Sequence, residues 1–89
     1  MPSAELTIAN KLGLHARAAA KLTQLASRFA AEVWLTRNGR RVNAKSIMGV
    51  MMLAAGKGAS VTVEAAGLDA DEAVAAIREL VAGRFGEAE

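Results

Sequence analysis

The chain has 89 residues, no cysteine, one histidine and a formal net charge of +2. That length suits one domain around one core, here residues 1–89; without cysteine there is no disulfide framework or thiolate chemistry, and a single histidine leaves no His/Cys cluster for a metal. The N-terminus lacks the basic stretch and apolar run of a signal peptide, and no stretch is long enough for membrane insertion, so a cytoplasmic location is expected.

Residues 5–9 alternate, with Leu6 and Ile8 on one face and Glu5 and Thr7 on the other, which predicts a half-buried strand. Asn10 to Gly13 is turn chemistry. A three-to-four spacing of Ala18, Leu22, Leu25, Ala26 and Phe29 then predicts a helix over 16–29, with His15 at its start. Its polar stripe, Arg17, Lys21, Gln24 and Arg28, reads either as a solvated face or, with Ala20 and Ser27 along its edge, as a docking face for acidic partners. Residues 33–37 and 40–43 are strand candidates joined by Asn38-Gly39, a strong hairpin signal. Val33 and Leu35 face the core, and Trp34 points to the opposite face. Arg37, Arg40 and Arg41 at the hairpin tip lack interleaved aromatics and read as a solvated turn, not a nucleic-acid contact.

Ser46 is a good helix cap, but the run from Ile47 to Leu53 is too apolar for a short helix to bury all round. Val50, Leu53 and Ala54 have the spacing of an inward face. Ile47, Met48 and Met51 are left as an outward apolar patch, and methionine adapts to partners of different shape. Gly56-Lys57-Gly58 fails the Walker spacing and reads as a turn. Residues 60–65 predict a strand with Val61 and Val63 inward. Asp69 and Glu72 resemble a capping box opening a last helix with the stripe Ala73, Val74, Ile77, Leu80 and Val81. Gly83 and Gly86 mark where it frays, and the acidic tail 87–89 is expected to be disordered. This order of elements predicts an α+β domain, with helices on one face of an antiparallel sheet.

The chemistry concentrates on His15. The ordinary role of a histidine near a helix start is a surface residue or an indifferent cap, yet histidine is not a preferred N-cap. A helix start offers backbone N–H groups without intrahelical partners and about half a positive charge, which together favour an anion. Arg17 adds a guanidinium fork that matches phosphate oxygens, and a neutral imidazole is a competent nucleophile. These residues point to phosphoryl acceptance by His15. Charge supports them: residues 1–45 hold eight of the eleven Lys and Arg and only Glu5 and Glu32 among the acids, a net of +6, whereas residues 46–89 hold three basic and seven acidic residues, a net of −4. An anionic substrate or acidic partner is steered to the half with His15. The alternatives are a basic nucleic-acid-binding domain and a small hydrolase or transferase built on His15; the latter lacks a visible acid–base set.

Asn10-Lys11-Leu12-Gly13-Leu14-His15-Ala16-Arg17 resembles the active-site signature of the HPr family, the histidine phosphocarriers of the bacterial phosphoenolpyruvate-dependent phosphotransferase system. Ala44-Lys45-Ser46-Ile47-Met48-Gly49-Val50-Met51-Met52-Leu53 resembles the family's regulatory-serine segment at the expected distance. The resemblance covers nearly the whole chain. It implies an open-faced β-sandwich of βαββαβα order, its four strands ordered first, fourth, second, third, with three helices on one side. It implies a carrier and not an enzyme, working without a cofactor. Enzyme I, charged from phosphoenolpyruvate, passes a phosphoryl group to Nδ1 of His15, and His15 passes it to an enzyme IIA-type acceptor. The Ala16 amide and Arg17 stabilise the charge in transit. Ser46 matches the target of HPr kinase/phosphorylase; a phosphate there favours the helix but adds about −1.5 to −2 charge beside the patch of Ile47, Met48 and Met51. Two residues depart from the pattern. Ala18 replaces the family's usual proline, which a first helical turn tolerates, and leaves the sugar-transport and nitrogen-related branches both open. Gly49 stands where many members carry a basic residue.

Overall fold

The computed structural model describes residues 1–88. In chain order it has β1 (Ser3–Thr7), α1 (Ala16–Ala26), β2 (Glu32–Arg37), β3 (Arg40–Asn43), α2 (Ile47–Met52), β4 (Ser60–Ala66) and α3 (Ala70–Ala82), followed by a 3-10 turn, Arg84–Gly86. The strands form one antiparallel sheet in the order β1-β4-β2-β3, the order implied by the resemblance. Its register follows from period-two patterning: Leu6 lies opposite Val61, Leu35 opposite Val63 and Val33 opposite Ala65, so these six apolar residues are buried together on one face of the sheet. Across that face α3 packs on β1, β4 and β2, while α1 packs on α3 and α2. Ala18, Ala19, Leu22 and Ala26 of α1 and Ala73, Val74, Ile77 and Val81 of α3 enter the same core, with Leu25, Phe29 and Leu80 half-buried beside it.

The other sheet face is polar, and Trp34 lies on it as expected. Arg41 stacks over its ring at 4.1 Å from the centroid, and Arg37 donates to the Leu53 carbonyl at 3.1 Å. The hairpin-tip arginines are therefore not simply a solvated turn: cation–π attraction holds Arg41 to Trp34 on the sheet, and a carbonyl acceptor ties Arg37 to the end of α2. Asn38 and Gly39 both have positive φ, 51° and 79°, as the tight hairpin turn requires.

Several boundaries differ from the sequence pattern. Strand β1 begins at Ser3 and ends at Thr7, although Ile8 is buried as expected beyond it. Helix α1 stops at Ala26, not at Phe29. Ser27 Oγ donates back to the Thr23 carbonyl at 2.8 Å, the Arg28 and Phe29 N–H groups turn to the Leu25 and Ala26 carbonyls, and Asp69 takes the two that follow, Ala30 on Oδ2 and Ala31 on Oδ1, each at 2.8 Å. Asp69 is thus no capping box. It precedes α3 as expected but makes no side-chain bond to that helix, because its carboxylate is committed across the fold. Ala54 is exposed, not inward: α2 ends at Met52, and a φ of 51° at Ala54 turns the chain outward. Helix α3 does not fray through Gly83 and Gly86. Gly83 caps it, and the 3-10 turn then drives Phe85 fully into the core.

The Ala30 N–H bond is the chief influence holding the Asp69 carboxyl below the ordinary aspartate range; desolvation opposes it, and the Ala31 bond and Lys45 reinforce it. A carboxylate with a depressed folded pKa contributes stability above its unfolded pKa and loses it as pH falls through the folded value. Stability is therefore expected to drop as pH falls below about 4, and Asp69→Asn to flatten that acid limb. Urea unfolding from pH 6 to 2 checks this, and parallel acid limbs for the two proteins would refute it.

Candidate functional site

The loop before α1 is built backward from its buried polar residue. Asn10 is fully buried; its Nδ2 donates to the Gly13 carbonyl at 2.8 Å, and Gly13 N–H donates to the Asn10 carbonyl at 3.2 Å. Leu14 is buried, and its N–H donates to the Ala55 carbonyl at 2.9 Å, tying the loop to the segment after α2. Gly13 has a φ of +66°, and a Cβ there would lie 2.4 Å from the Ala55 oxygen and 2.7 Å from Gly56 Cα, so the close approach of two backbones demands glycine.

This pinned loop makes His15 the N-cap of α1. Its backbone is extended, with φ −72° and ψ 177°, and its carbonyl accepts the first helical bond from Ala19 N–H at 2.8 Å. The amides of Ala16, Arg17 and Ala18 precede that bond and have no partner within the helix. His15 gives them no side-chain cap. Its ring is 28% exposed, with Nε2 2.5 Å from Oε2 of Glu87, while Oε1 of Glu87 accepts from Asn10 Nδ2 at 3.1 Å. The His15 bond first, and the Asn10 bond second, hold the Glu87 carboxyl below the ordinary glutamate range. Among the described residues, His15 Nδ1 has no hydrogen-bond partner.

The ring opens into a cleft of about 610 Å³ lined by Lys11, Leu12, His15, Ala16, Arg17, Glu87 and Ala88. Arg17 is exposed at its wall. One cleft therefore joins a nucleophilic nitrogen, helix-start amides and a guanidinium, an arrangement suited to an anionic group on the imidazole. Among the described residues no three His, Cys, Asp or Glu side chains gather as a metal site, and no helix is long and apolar enough to cross a membrane.

Glu87 and Asn10 are the site residues that sequence reasoning missed. The tail 87–89 was expected to be disordered, yet Glu87 is half-buried against His15; Glu89 lies outside the described residues. The available signal was Phe85, a large apolar residue that requires burial so close to the tail.

The remaining candidates lie elsewhere. Lys21 and Gln24 are exposed along α1, but Lys21 Nζ donates to the Phe85 carbonyl at 2.6 Å, so it also fastens the 3-10 turn. Ala20 is half-buried and Ser27 exposed. Ile47, Met48 and Met51 are 39%, 67% and 41% exposed, and Met52, which the inward–outward spacing did not place, joins them at 58%. Val50 and Leu53 face inward as expected. Ser46 Oγ accepts from Gly49 N–H at 3.2 Å, capping α2 outside the His15 cleft.

The family model described as PTS HPr component phosphorylation site matches residues 2–83. The chain belongs to the HPr family. Phosphocarrier protein HPr of Cupriavidus necator is 64% identical to it over 85 residues, 96% of each chain. Phosphocarrier protein NPr of Shewanella violacea is 48% identical over 84 residues, 94% of this chain and 92% of its own. The crystal structure of HPr-C-His from Thermoanaerobacter tengcongensis covers all of both chains at 43% identity, with a TM-score of 0.97. As an HPr-family protein the chain is a phosphocarrier of the phosphotransferase system and not a catalyst. The open cleft fits that role: a carrier must surrender its group and is better served by few ligands than by an enclosing pocket.

Proposed function

We propose that His15 carries the phosphoryl group, receiving it from enzyme I charged by phosphoenolpyruvate and delivering it to enzyme IIA-type acceptors in the cytoplasm. The observation that carries this reading is the helix start without a side-chain cap, where His15, whose Nδ1 has no hydrogen-bond partner among the described residues, lines one cleft with Ala16 and Arg17. The Nδ1 lone pair attacks phosphorus, the bond to the donor atom breaks, and its electron pair leaves with the donor. The amides and Arg17 meet the charge on the phosphoryl oxygens. Partners supply the remaining groups by docking on the exposed face of α1, along Ala20, Lys21, Gln24 and Ser27, and on the patch of Ile47, Met48 and Met51.

Incubation with enzyme I, magnesium and phosphoenolpyruvate tests the reading. One acid-labile, alkali-stable phosphoryl group is expected, and none after complete turnover of an active enzyme I would sink it. A regulatory role for Ser46 is supported by its exposed position capping α2, next to the methionine patch. Treatment with HPr kinase/phosphorylase and ATP is expected to yield phosphoserine at Ser46, detected by peptide mapping; modification at another serine would remove Ser46 from that role.

A further inference from the structure

Glu87 is 72 residues from His15 in the chain, in a segment that an acidic composition would leave in solvent, yet both of its carboxylate oxygens are engaged. Oε1 accepts from Asn10, a fully buried residue fixed by a second bond to Gly13; Oε2 faces His15 Nε2 at 2.5 Å. The segment delivering Glu87 is anchored by Phe85 in the core and by Lys21 on the Phe85 carbonyl. We infer that Glu87 is the positioning residue of His15, accepting the Nε2 hydrogen so that the neutral ring keeps its proton there, holds its lone pair on Nδ1 and turns Nδ1 into the cleft shared with Arg17.

A partner on one ring nitrogen sets the tautomer and orientation of the other. A second effect acts during transfer. When Nδ1 bonds to phosphorus and the donor bond breaks, the ring keeps its Nε2 hydrogen and becomes cationic; Glu87 is then its counter-ion on the side away from the phosphoryl group. The inference rests on His15 being the acceptor.

Wild-type protein, Glu87→Ala and Glu87→Gln, all ¹⁵N-labelled, form the test. Two quantities are read: the His15 ring nitrogens and ring N–H by NMR, and the rate of phosphoryl acceptance from enzyme I. The wild type is expected to show a protected, downfield Nε2–H that Glu87→Ala lacks. Acceptance by Glu87→Ala is expected to slow about tenfold, the lower end of the loss seen when the hydrogen-bond partner of a metal-bound histidine is removed. The loss is expected in the maximal rate, not in KM, since Glu87 acts through the ring. Glu87→Gln keeps an acceptor without the charge and should fall between the two. Its backbone amide spectrum, compared with that of the wild type, separates this loss from misfolding. Wild-type rates in the variants, or a ring N–H signal unchanged by the substitutions, would overturn the assignment. Should wild-type protein itself take up no phosphoryl group, the acceptor reading fails without reference to any variant, and the role of Glu87 falls with it.

Discussion

His15→Ala is expected to abolish phosphoryl acceptance from enzyme I, whereas Arg17→Ala is expected to retain it at a rate lower by about a hundredfold. The two differ because they supply different things. His15 is the only imidazole in the chain, so nothing can replace its nucleophilic nitrogen. Arg17 is one of several positive elements around the cleft, and removal of one such donor typically costs about 10²–10³ in rate while the rest still act. Arg17→Lys restores charge without the planar fork and should recover only part of the loss. Misfolding is not an available explanation for the alanine result. The His15 side chain makes no cap bond and is partly exposed, so the thermal midpoint should move by only a few degrees. Phosphorylation of His15→Ala at the normal extent would refute the assignment.

Phe85→Ala is expected to be the most damaging core substitution in the C-terminal segment. Arg84 and Phe85 both have a φ of 55°, a left-handed backbone that costs roughly 1–2 kcal/mol for each residue other than glycine. Burying a phenylalanine returns about 1.5–3 kcal/mol, which offsets most of what the two residues cost, so the turn depends on the ring being fully inside. Truncation removes that gain and leaves a cavity, a change that costs about 3–5 kcal/mol in packed cores. A domain of this size carries roughly 4–13 kcal/mol in all. Thermal unfolding should therefore show a midpoint lower by on the order of 20 °C, and the freed turn should release Glu87 from His15. A midpoint within about 5 °C of the wild type, at which under 1 kcal/mol is lost, would show that Phe85 does not hold the turn.

Local periodicity made most of the scaffold legible. Alternation placed Leu6, Val33, Leu35, Val61 and Val63 on the inner face, and Asn38-Gly39 marked the hairpin. The strand order came from the resemblance, since alternation says which face a residue takes but not which strand lies beside it. His15, Ala16 and Arg17 were legible as a group because their chemistry lies within one helical turn. Glu87 was not: its role depends on a bond spanning most of the chain, and although Phe85 signals that the tail is anchored nearby, no local pattern names the residue that Glu87 meets. Asp69 misled for the same reason. Its spacing to Glu72 fits a capping box, while its carboxylate goes to Ala30 and Ala31, which no nearest-neighbour rule can see.

The place of β4 in the sheet has a consequence for biosynthesis. It is the last strand to be translated, and it lies between β1 and β2, bonded to both. Until residues 60–66 leave the ribosome, β1 has no neighbour and β2–β3 is a lone two-stranded ribbon, which is marginal in water. A nascent chain stalled before that point has no completed sheet on which its helices can pack, so this protein folds after most of its length has been made, and the emerging N-terminal half is the portion exposed to chaperones and proteases.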